Sequence, residues 1–366
     1  MEDKLSIARK TIDETDKKMA ELFRTRMEAV RLVAEYKKEK GLPIFDPERE
    51  ELVIRKNSAY LEGADPEICD SYVKFLRETM AVSRRYQSRF IEGMKVAFSG
   101  TEGAFAHIAA GKIFPSAQKV GYKSFPDAYE AVVNGECDAV VLPLENSSAG
   151  DVGAVADLLF SGPLYINGTY DLAIIQDLLV IPGADIANIK QVVSHPQALS
   201  QCAEYIRSKG YETLEFANTA LAAQYVSALK DPTVAAIASE EAGAKYGLTV
   251  AARAINEETN NTTRFAVLSA SRLKRHEAQG MDMRFILMFT VKNEAGSLAR
   301  AIDIIGKHGF NMQSLRSRPM KKLLWQYYFY VESEGNIDTE NGNAMMVELS
   351  KICDQLKLVG SYQHKH

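Results

Sequence analysis

The sequence predicts a multidomain chain: an all-α segment, then an α/β segment, then a smaller α+β segment. Three observations predict it. The 366 residues exceed what one hydrophobic core usually organises. The apolar periodicity is helical as far as Glu92, and after Gly93 it changes to short β-rich runs alternating with helical stretches. The polar stretch from Ser271 to Asp282 then separates a last series of strand and helix signals. The expected domains are 1–93, 94–270 and 283–366, with 271–282 as a linker.

In the first segment a heptad row runs through Leu5, Ile12, Met19, Arg26 and Val33, with Ala8, Thr15, Leu22, Ala29 and Tyr36 alongside, which predicts one long helix. Gly41-Leu42-Pro43 ends it. Asp46-Pro47 and Asp65-Pro66 each place a capping side chain before a proline suited to the first helical turn, so two further helices follow. In the second segment Lys95 to Ser99, Ala139 to Leu144, Ile174 to Ile181, Val192 to Ser194, Ala235 to Ser239 and Phe265 to Ser269 read as strands between helices. The last segment reads as strand (Arg284 to Val291), helix (Ser297 to His308), strand (Met312 to Arg318), strand (Trp325 to Glu332), helix (about Gly342 to Gln355) and strand (Leu358 to Tyr362). That βαββαβ order predicts a ferredoxin-like sandwich.

Composition excludes several classes of function. A chain that is 46% hydrophobic and 25% charged is too apolar to be disordered throughout. A net charge of -4 argues against a general nucleic-acid binder, which needs an excess of cations to displace counterions. Cys69, Cys137, Cys202 and Cys353 lie far apart, and no secretory or membrane-spanning apolar run accompanies them, so a reducing cytoplasm is expected. The histidines lack metal-ligand spacing, and the turn from Gly100 to Gly103 lacks a dinucleotide fingerprint. Neither a metal nor a cofactor is expected.

The first segment carries as many acidic as basic residues, so a basic residue in its apolar row is informative. Arg26 sits there, and a buried guanidinium needs an anion, a neighbouring acid or a route to solvent. Lys37 lies eleven residues downstream, within about 20 degrees on a helical wheel, so both could reach one ligand. Ser83 and Gln87 form an i, i+4 polar pair flanked by Leu76 and Phe90, which turns them toward the helical interior or leaves them as surface polar residues. Asp46 reads first as a helix cap, with Arg49 and Glu50 just behind it.

With Arg9, Ile12 and Asp16, these residues resemble the framework of the all-helical chorismate mutases from about Met1 to Phe90. The resemblance implies that Arg9, Arg26 and Arg49 clamp substrate carboxylates. It implies further that Lys37 and Gln87 face the ether oxygen of chorismate, and that Asp46, Glu50 and Ser83 position the ring and its hydroxyl. The rearrangement to prephenate is intramolecular, so such a site must hold a folded dicarboxylate and stabilise charge on the breaking ether bond, with no obligatory nucleophile. Arginine forks suit the carboxylates. Arg9 and Arg26 are seventeen positions apart on one helix, roughly 25 Å, too far to grip one molecule together. Arg9 should therefore come from a second copy, which predicts an antiparallel, intertwined homodimer.

In the second segment polar clusters follow strands. They are Glu145-Asn146-Ser147, Ser194-His195-Pro196-Gln197 through Gln201-Cys202, and Asn218-Thr219-Ala220. Strand ends that lead into helix starts favour anions, although Ser194, Asn218 or Thr219 could equally be helix caps. His195 precedes a proline and has no evident acid partner, so it reads as a turn or packing residue. Asn261-Thr262-Thr263-Arg264-Phe265 joins a hydroxyl to a guanidinium at the start of an apolar strand.

Together, in this order, the clusters resemble prephenate dehydratase across about 94 to 270. The resemblance implies a two-lobed, periplasmic-binding-protein-like fold with substrate between the lobes, and Thr263 as the acid that protonates the leaving hydroxide of prephenate. Arg264 is then expected to anchor a carboxylate, and either Arg264 or neighbouring hydrogen bonds to polarise Thr263, with Asn146, Ser147, Ser194, Gln197 and Thr219 as donors to substrate oxygens. Glu145 would orient the site or bond the backbone. The turn Gly100 to Phe105 is closer to the Gly-Ala-aromatic version of the related arogenate dehydratases, so arogenate is the alternative substrate.

The last segment resembles an ACT domain, which in this family senses phenylalanine. Two loops carry the resemblance, Ala295-Gly296-Ser297-Leu298 and Arg316-Ser317-Arg318-Pro319. Ala295 replaces a usual Pro, Ser297 a usual Ala, and Arg316 a usual Glu. The resemblance implies effector contacts from Ala295, Gly296, Ser297, Leu298, Ser317 and Arg318. The alternative is an oligomerisation module without a ligand, and the alternative for the whole chain is a non-catalytic small-molecule-binding regulator.

Overall fold

The computed structural model describes residues 3–258, 260–274, 282–320 and 326–363. The chain divides into two compact units, Met1–Met94 and Lys95–His366.

The first unit is three helices, α1 (Lys4–Lys40), α2 (Pro47–Ser58) and α3 (Pro66–Glu92). Gly41 ends α1 in the left-handed conformation, φ 63°, that a glycine adopts without strain. Asp46 accepts the amide hydrogen of Arg49 and Asp65 that of Glu67, each just before a proline in the first turn. Among the described residues of this unit the buried apolar side chains are Ala34, Ile54 and Met80, while Leu22 and Leu32 stay 68% and 66% exposed and Leu5, Ile12, Val33 and Tyr36 are exposed as well. A long helix with an uncovered apolar row is a helix that lacks a partner.

The second unit begins with a lobe built from β1 (Lys95–Ser99), α4 (Phe105–Ile113), β2 (Gln118–Tyr122), α5 (Phe125–Val133), β3 (Ala139–Asn146), β4 (Gly150–Asp151), α6 (Gly153–Ser161) and β5 (Tyr165–Ala173). The chain then crosses into a second lobe, made of β6 (Asp177–Val180), β7 (Gln191–Ser194), α7 (Pro196–Gln201), α8 (Ala203–Lys209), β8 (Glu212–Glu215), α9 (Thr219–Leu229), β9 (Val234–Ala238), α10 (Glu240–Tyr246) and β10 (Thr249–Ala252). It returns as β11 (Thr262–Ser269), which pairs antiparallel with both β3 and β5 in the first lobe. The second lobe has its own sheet, in the order β10-β6-β9-β7-β8. Two crossings between two sheets make a hinged pair of lobes with a cleft between them. Gly103 marks their close approach: it has φ +89°, and a Cβ there would sit 3.3 Å from the Cα of Ala242 in the second lobe.

The C-terminal segment is β12 (Met283–Thr290), α11 (Ser297–Lys307), β13 (Met312–Pro319), β14 (Tyr327–Glu334), α12 (Glu340–Ser350) and β15 (Gln355–Gln363). Its strands run in the order β13-β14-β12-β15, and Phe285, Leu287, Phe289, Ile305, Val331, Met345 and Leu349 form its core. This is the βαββαβ sandwich. Trp325, expected to open a strand, and residues 275–281 of the expected linker lie outside the described residues.

The C-terminal segment does not stand apart from the lobes. β15 continues the first lobe's sheet through the parallel pair Gly360 and Ile166, so that one ten-stranded sheet runs through both. Phe160 stacks on Tyr328 with ring centroids 4.4 Å apart. Lys357 donates to the carbonyls of Leu159 and Gly162 at the end of α6, and burial pushes its pKa down to about 8.

The seam is tightest at Gly360, where a Cβ would fall on the carbonyl oxygen of Ile166. Gly360→Ala is expected to destabilise this unit by about 1–3 kcal/mol, the usual range for overpacking, and to lower its thermal midpoint by several degrees in calorimetry. An unchanged midpoint would show that the seam contributes nothing.

Candidate active sites

Two constellations of polar side chains stand out, one in each unit. In the helical unit Arg26 projects from α1 and its Nη1 donates to the Oγ of Ser83 on α3, 2.5 Å away. Ser83 in turn donates to the carbonyl of Thr79. Burial lowers the pKa of Arg26, and no ion pair holds it among the described residues. One turn along α3, Gln87 is buried with its Oε1 lacking any hydrogen-bond partner. A half-buried guanidinium without an acid, next to an unsatisfied buried amide, is expensive unless a ligand completes it. Lys37 donates to the carbonyl of Ile44 at 2.5 Å, Asp46 caps α2, and Glu50 pairs with Arg84, whose guanidinium lies over the ring of Phe45. Arg9 and Arg49 are exposed. Arg84 went unnoticed in the sequence, where nothing distinguishes it from the neighbouring Arg85.

In the second unit a cavity of about 610 Å³ opens between the lobes. Five helices begin at or beside its wall: α4 at Phe105, α5 at Phe125, α6 at Gly153, α7 at Pro196 and α9 at Thr219. The first-turn backbone amides of the longer four give positive partial charge without a cationic side chain. Among the described residues, none that lines it is a lysine or arginine. Phe105, Phe125, Pro143 and Phe265 supply an apolar wall.

Asn146 and Thr263 face each other across β3 and β11. The Nδ2 of Asn146 donates to the Oγ1 of Thr263 at 2.9 Å and to the Oδ1 of Asn261 at 2.8 Å, while its Oδ1 accepts the amide hydrogens of Ser148 and Ala149. The amide is therefore held at both ends and cannot turn. Because Thr263 accepts from Asn146 and has no protein acceptor for its own proton among the described residues, its hydroxyl is left to donate into the cavity.

The profile of the type II chorismate mutases matches residues 8–88, and that of the prephenate dehydratases matches residues 96–272. The bifunctional chorismate mutase/prephenate dehydratase of Aquifex aeolicus is 32% identical over 98% of both chains. The chain belongs to the bifunctional chorismate mutase/prephenate dehydratases. Among solved structures, the prephenate dehydratase of Arthrobacter aurescens in complex with L-Phe superposes with a TM-score of 0.68 at 24% identity, covering 74% of this chain and 90% of that one, which shows the fold. A protein described as GqqA, a novel type of quorum-quenching acylase, gives the same TM-score at 28% identity and covers 74% of this chain and 98% of its own.

Of the residues expected to form the dehydratase site, the structure brings Asn146, Gln197, Thr219 and Thr263 together at the cavity. His195 lines it too, with its Nδ1 accepting the amide hydrogen of Gln197 as the cap of α7. Four expected residues are elsewhere. Arg264 follows Thr263 on a strand, so its side chain points to the opposite face, where it bonds Asp171 at 3.0 Å and approaches Glu332 at 4.0 Å. Burial works against its charge, but Asp171 and Glu332 outweigh it and hold its pKa above the ordinary arginine value. It neither lines the cavity nor touches the Thr263 hydroxyl. Ser194 is fully buried and donates to the carbonyl of Ile237, tying β7 to β9. Ser147 bridges to the backbone of Asn260 and Thr262. Glu145 is paired with Arg316 at 2.6 Å, not bonded to backbone or aimed at the cavity. The sequence reading missed Gln176, which lines the cavity where the chain crosses lobes.

The expected effector residues also separate. Leu298 lines a cleft of about 460 Å³ with Thr290, Val291, Asn293 and Glu294, and the buried Ser297 accepts from Arg300. Ala295 and Gly296 lie just before α11, Gly296 at φ 81°. Ser317 and Arg318 lie in β13, as the strand expected from Met312 to Arg318 requires; Ser317 is exposed, and Arg318 bonds Tyr328 and Asp157.

If Arg264 holds the scaffold, then Arg264→Gln should cost about 1–3 kcal/mol, because Glu332, only 4% exposed, loses one of its cations. Chemical denaturation measures this; unaltered stability would return Arg264 to the list of substrate anchors.

Proposed function

We propose that the helical unit rearranges chorismate to prephenate and that the interlobe cavity converts prephenate to phenylpyruvate with loss of water and carbon dioxide. The observation that carries the second half is Thr263, a hydroxyl that accepts from the locked amide of Asn146 and keeps its proton for a ligand. In the cavity the starts of α6 and α9, with Gln197 and Thr219, receive the carboxylates, and the aromatic wall receives the ring. Thr263 protonates the departing hydroxide as the ring carboxylate leaves, and aromatisation drives the step. A hydroxyl is a weak acid, so the donated hydrogen bond from Asn146, which stabilises the developing alkoxide, is the activating contact.

In the mutase half, Arg26 and Gln87 are the groups left incomplete, which suits a substrate carboxylate and an ether oxygen respectively. Lys37, Arg49, Asp46, Glu50 and Ser83 complete the proposed site. The continuous helix from Lys4 to Lys40 keeps Arg9 roughly 25 Å from Arg26, so Arg9 serves the site of a second copy, and the uncovered row of Leu5, Ile12, Leu22 and Val33 is the face on which that copy packs. The C-terminal sandwich we take as an ACT-type sensor for phenylalanine, with Leu298 and its neighbours as the contact. No helix among the described residues is long and apolar enough to cross a membrane.

Thr263→Val removes the donor but keeps the shape. It should lower kcat on prephenate about a hundredfold or more with KM little altered, while chorismate turnover stays intact; near-normal kcat would exclude Thr263 as the acid. Purified protein offered arogenate in place of prephenate decides between the two substrates.

For the mutase, Arg9→Ala and Arg26→Ala chains should each be inactive alone. Mixed and reassembled, they should recover about a quarter of the parental turnover, because half of the dimers then carry one intact site. No recovery would place both arginines in one copy's site.

A further inference from the structure

One side chain joins the C-terminal sheet to the rim of the interlobe cavity. Along β13 the residues alternate, with Arg316 and Arg318 turned inward and Leu315 and Ser317 exposed. The guanidinium of Arg316 lies between two carboxylates of the first lobe, Glu145 at 2.6 Å and Asp151. Those two are cross-strand partners on β3 and β4, so without a cation their charges would stand side by side. Asp151 belongs to the cavity wall, and Glu145 directly precedes Asn146.

The same contact fixes a segment that the ligand needs. Asp151 is followed by Val152 and by Gly153, the first residue of α6, and all three line the cavity. Arg318 packs against Gly153 so closely that a Cβ there would fall on its guanidinium, and it also bonds Asp157 one turn further on. The start of α6 is thus held from behind by two arginines of one strand. In front of it is a cavity whose described lining includes no lysine or arginine and which, on the proposed function, must admit a dianion.

We propose that Arg316 is a positioning residue for the dehydratase reaction: by pairing with Glu145 and Asp151 it cancels their charge at the cavity wall and fixes β4 and the start of α6, so that a dianionic substrate can bind. The proposal rests on the assignment of this cavity to prephenate. It makes the C-terminal sandwich part of the substrate-binding apparatus, so that a shift of β13 changes affinity in the cavity without any contact between effector and substrate.

The test is steady-state kinetics of the full chain on prephenate with Arg316→Gln, Arg316→Lys and the double variant Arg316→Gln/Asp151→Asn. Two unpaired carboxylates beside the site should raise KM on the order of tenfold in Arg316→Gln with kcat within about twofold, and the rise should shrink as potassium chloride is added. Arg316→Lys and the double variant should both return KM to within about twofold of the parent, because one restores the cation and the other removes an anion. An unchanged KM in Arg316→Gln overturns the proposal. So does a loss of kcat that Asp151→Asn fails to relieve, which would mark Arg316 as scaffold only. A parent chain that leaves prephenate untouched overturns the assignment of the cavity itself, and is told apart because no variant then has a KM to compare.

Discussion

The hydrogen bond from Asn146 to Thr263 is the contact on which the proposed dehydratase chemistry depends. Its donor cannot rotate, because the other end of the amide holds the turn at Ser148 and Ala149. Its acceptor is thereby turned into a donor toward the cavity. The pair exists because β11 returns from the second lobe to lie beside β3 in a register that sets Thr263 opposite Asn146. A one-residue slip would exchange Thr263 for Arg264 on that face and put a cation where the proposed acid stands. The bulge between Arg264 and Phe265 follows immediately, and Phe265 still reaches the cavity.

The two units solve the same electrostatic problem by different means. Each receives a dicarboxylate. The helical unit places a half-buried arginine against a serine and leaves its charge free for an anion. Among the described residues the lining of the interlobe cavity includes no lysine or arginine, so the proposed site relies on helix starts instead, with its arginines behind the wall, where Arg264 meets Asp171 and Arg316 meets Glu145 and Asp151. Fixed backbone dipoles cost no reorganisation when negative charge moves from the ring carboxylate through the ring to the departing hydroxide, whereas a salt bridge formed to that carboxylate in the ground state would have to be broken.

Local chemistry was readable in the sequence, and long-range pairing was not. Gly41, Asp46 and Asp65 act at helix ends as their types and neighbours predict, because a cap is satisfied within four residues. The heptad row placed Arg26 and the i, i+4 spacing placed Ser83 and Gln87, and the structure brings Arg26 to Ser83. Strand alternation alone turns Arg264 away from the face of Thr263, since neighbours on a strand face opposite ways, and the structure follows that alternation. Ser147, Ser194 and Glu145 were beyond such reading, because their partners Asn260, Ile237 and Arg316 are brought near by strands distant in sequence or by the C-terminal sheet. The continuity of that sheet through Gly360 has no local signature at all.

The most direct measurement of the central claim is a double-mutant cycle on kcat for prephenate between Asn146→Asp, which keeps the turn acceptor but removes the donor to Thr263, and Thr263→Val. If Asn146 acts through Thr263, the double variant should be no slower than the slower single variant, within about twofold. Losses that multiply would show that the two residues act separately, and the account of Thr263 as an acid activated by Asn146 would be wrong.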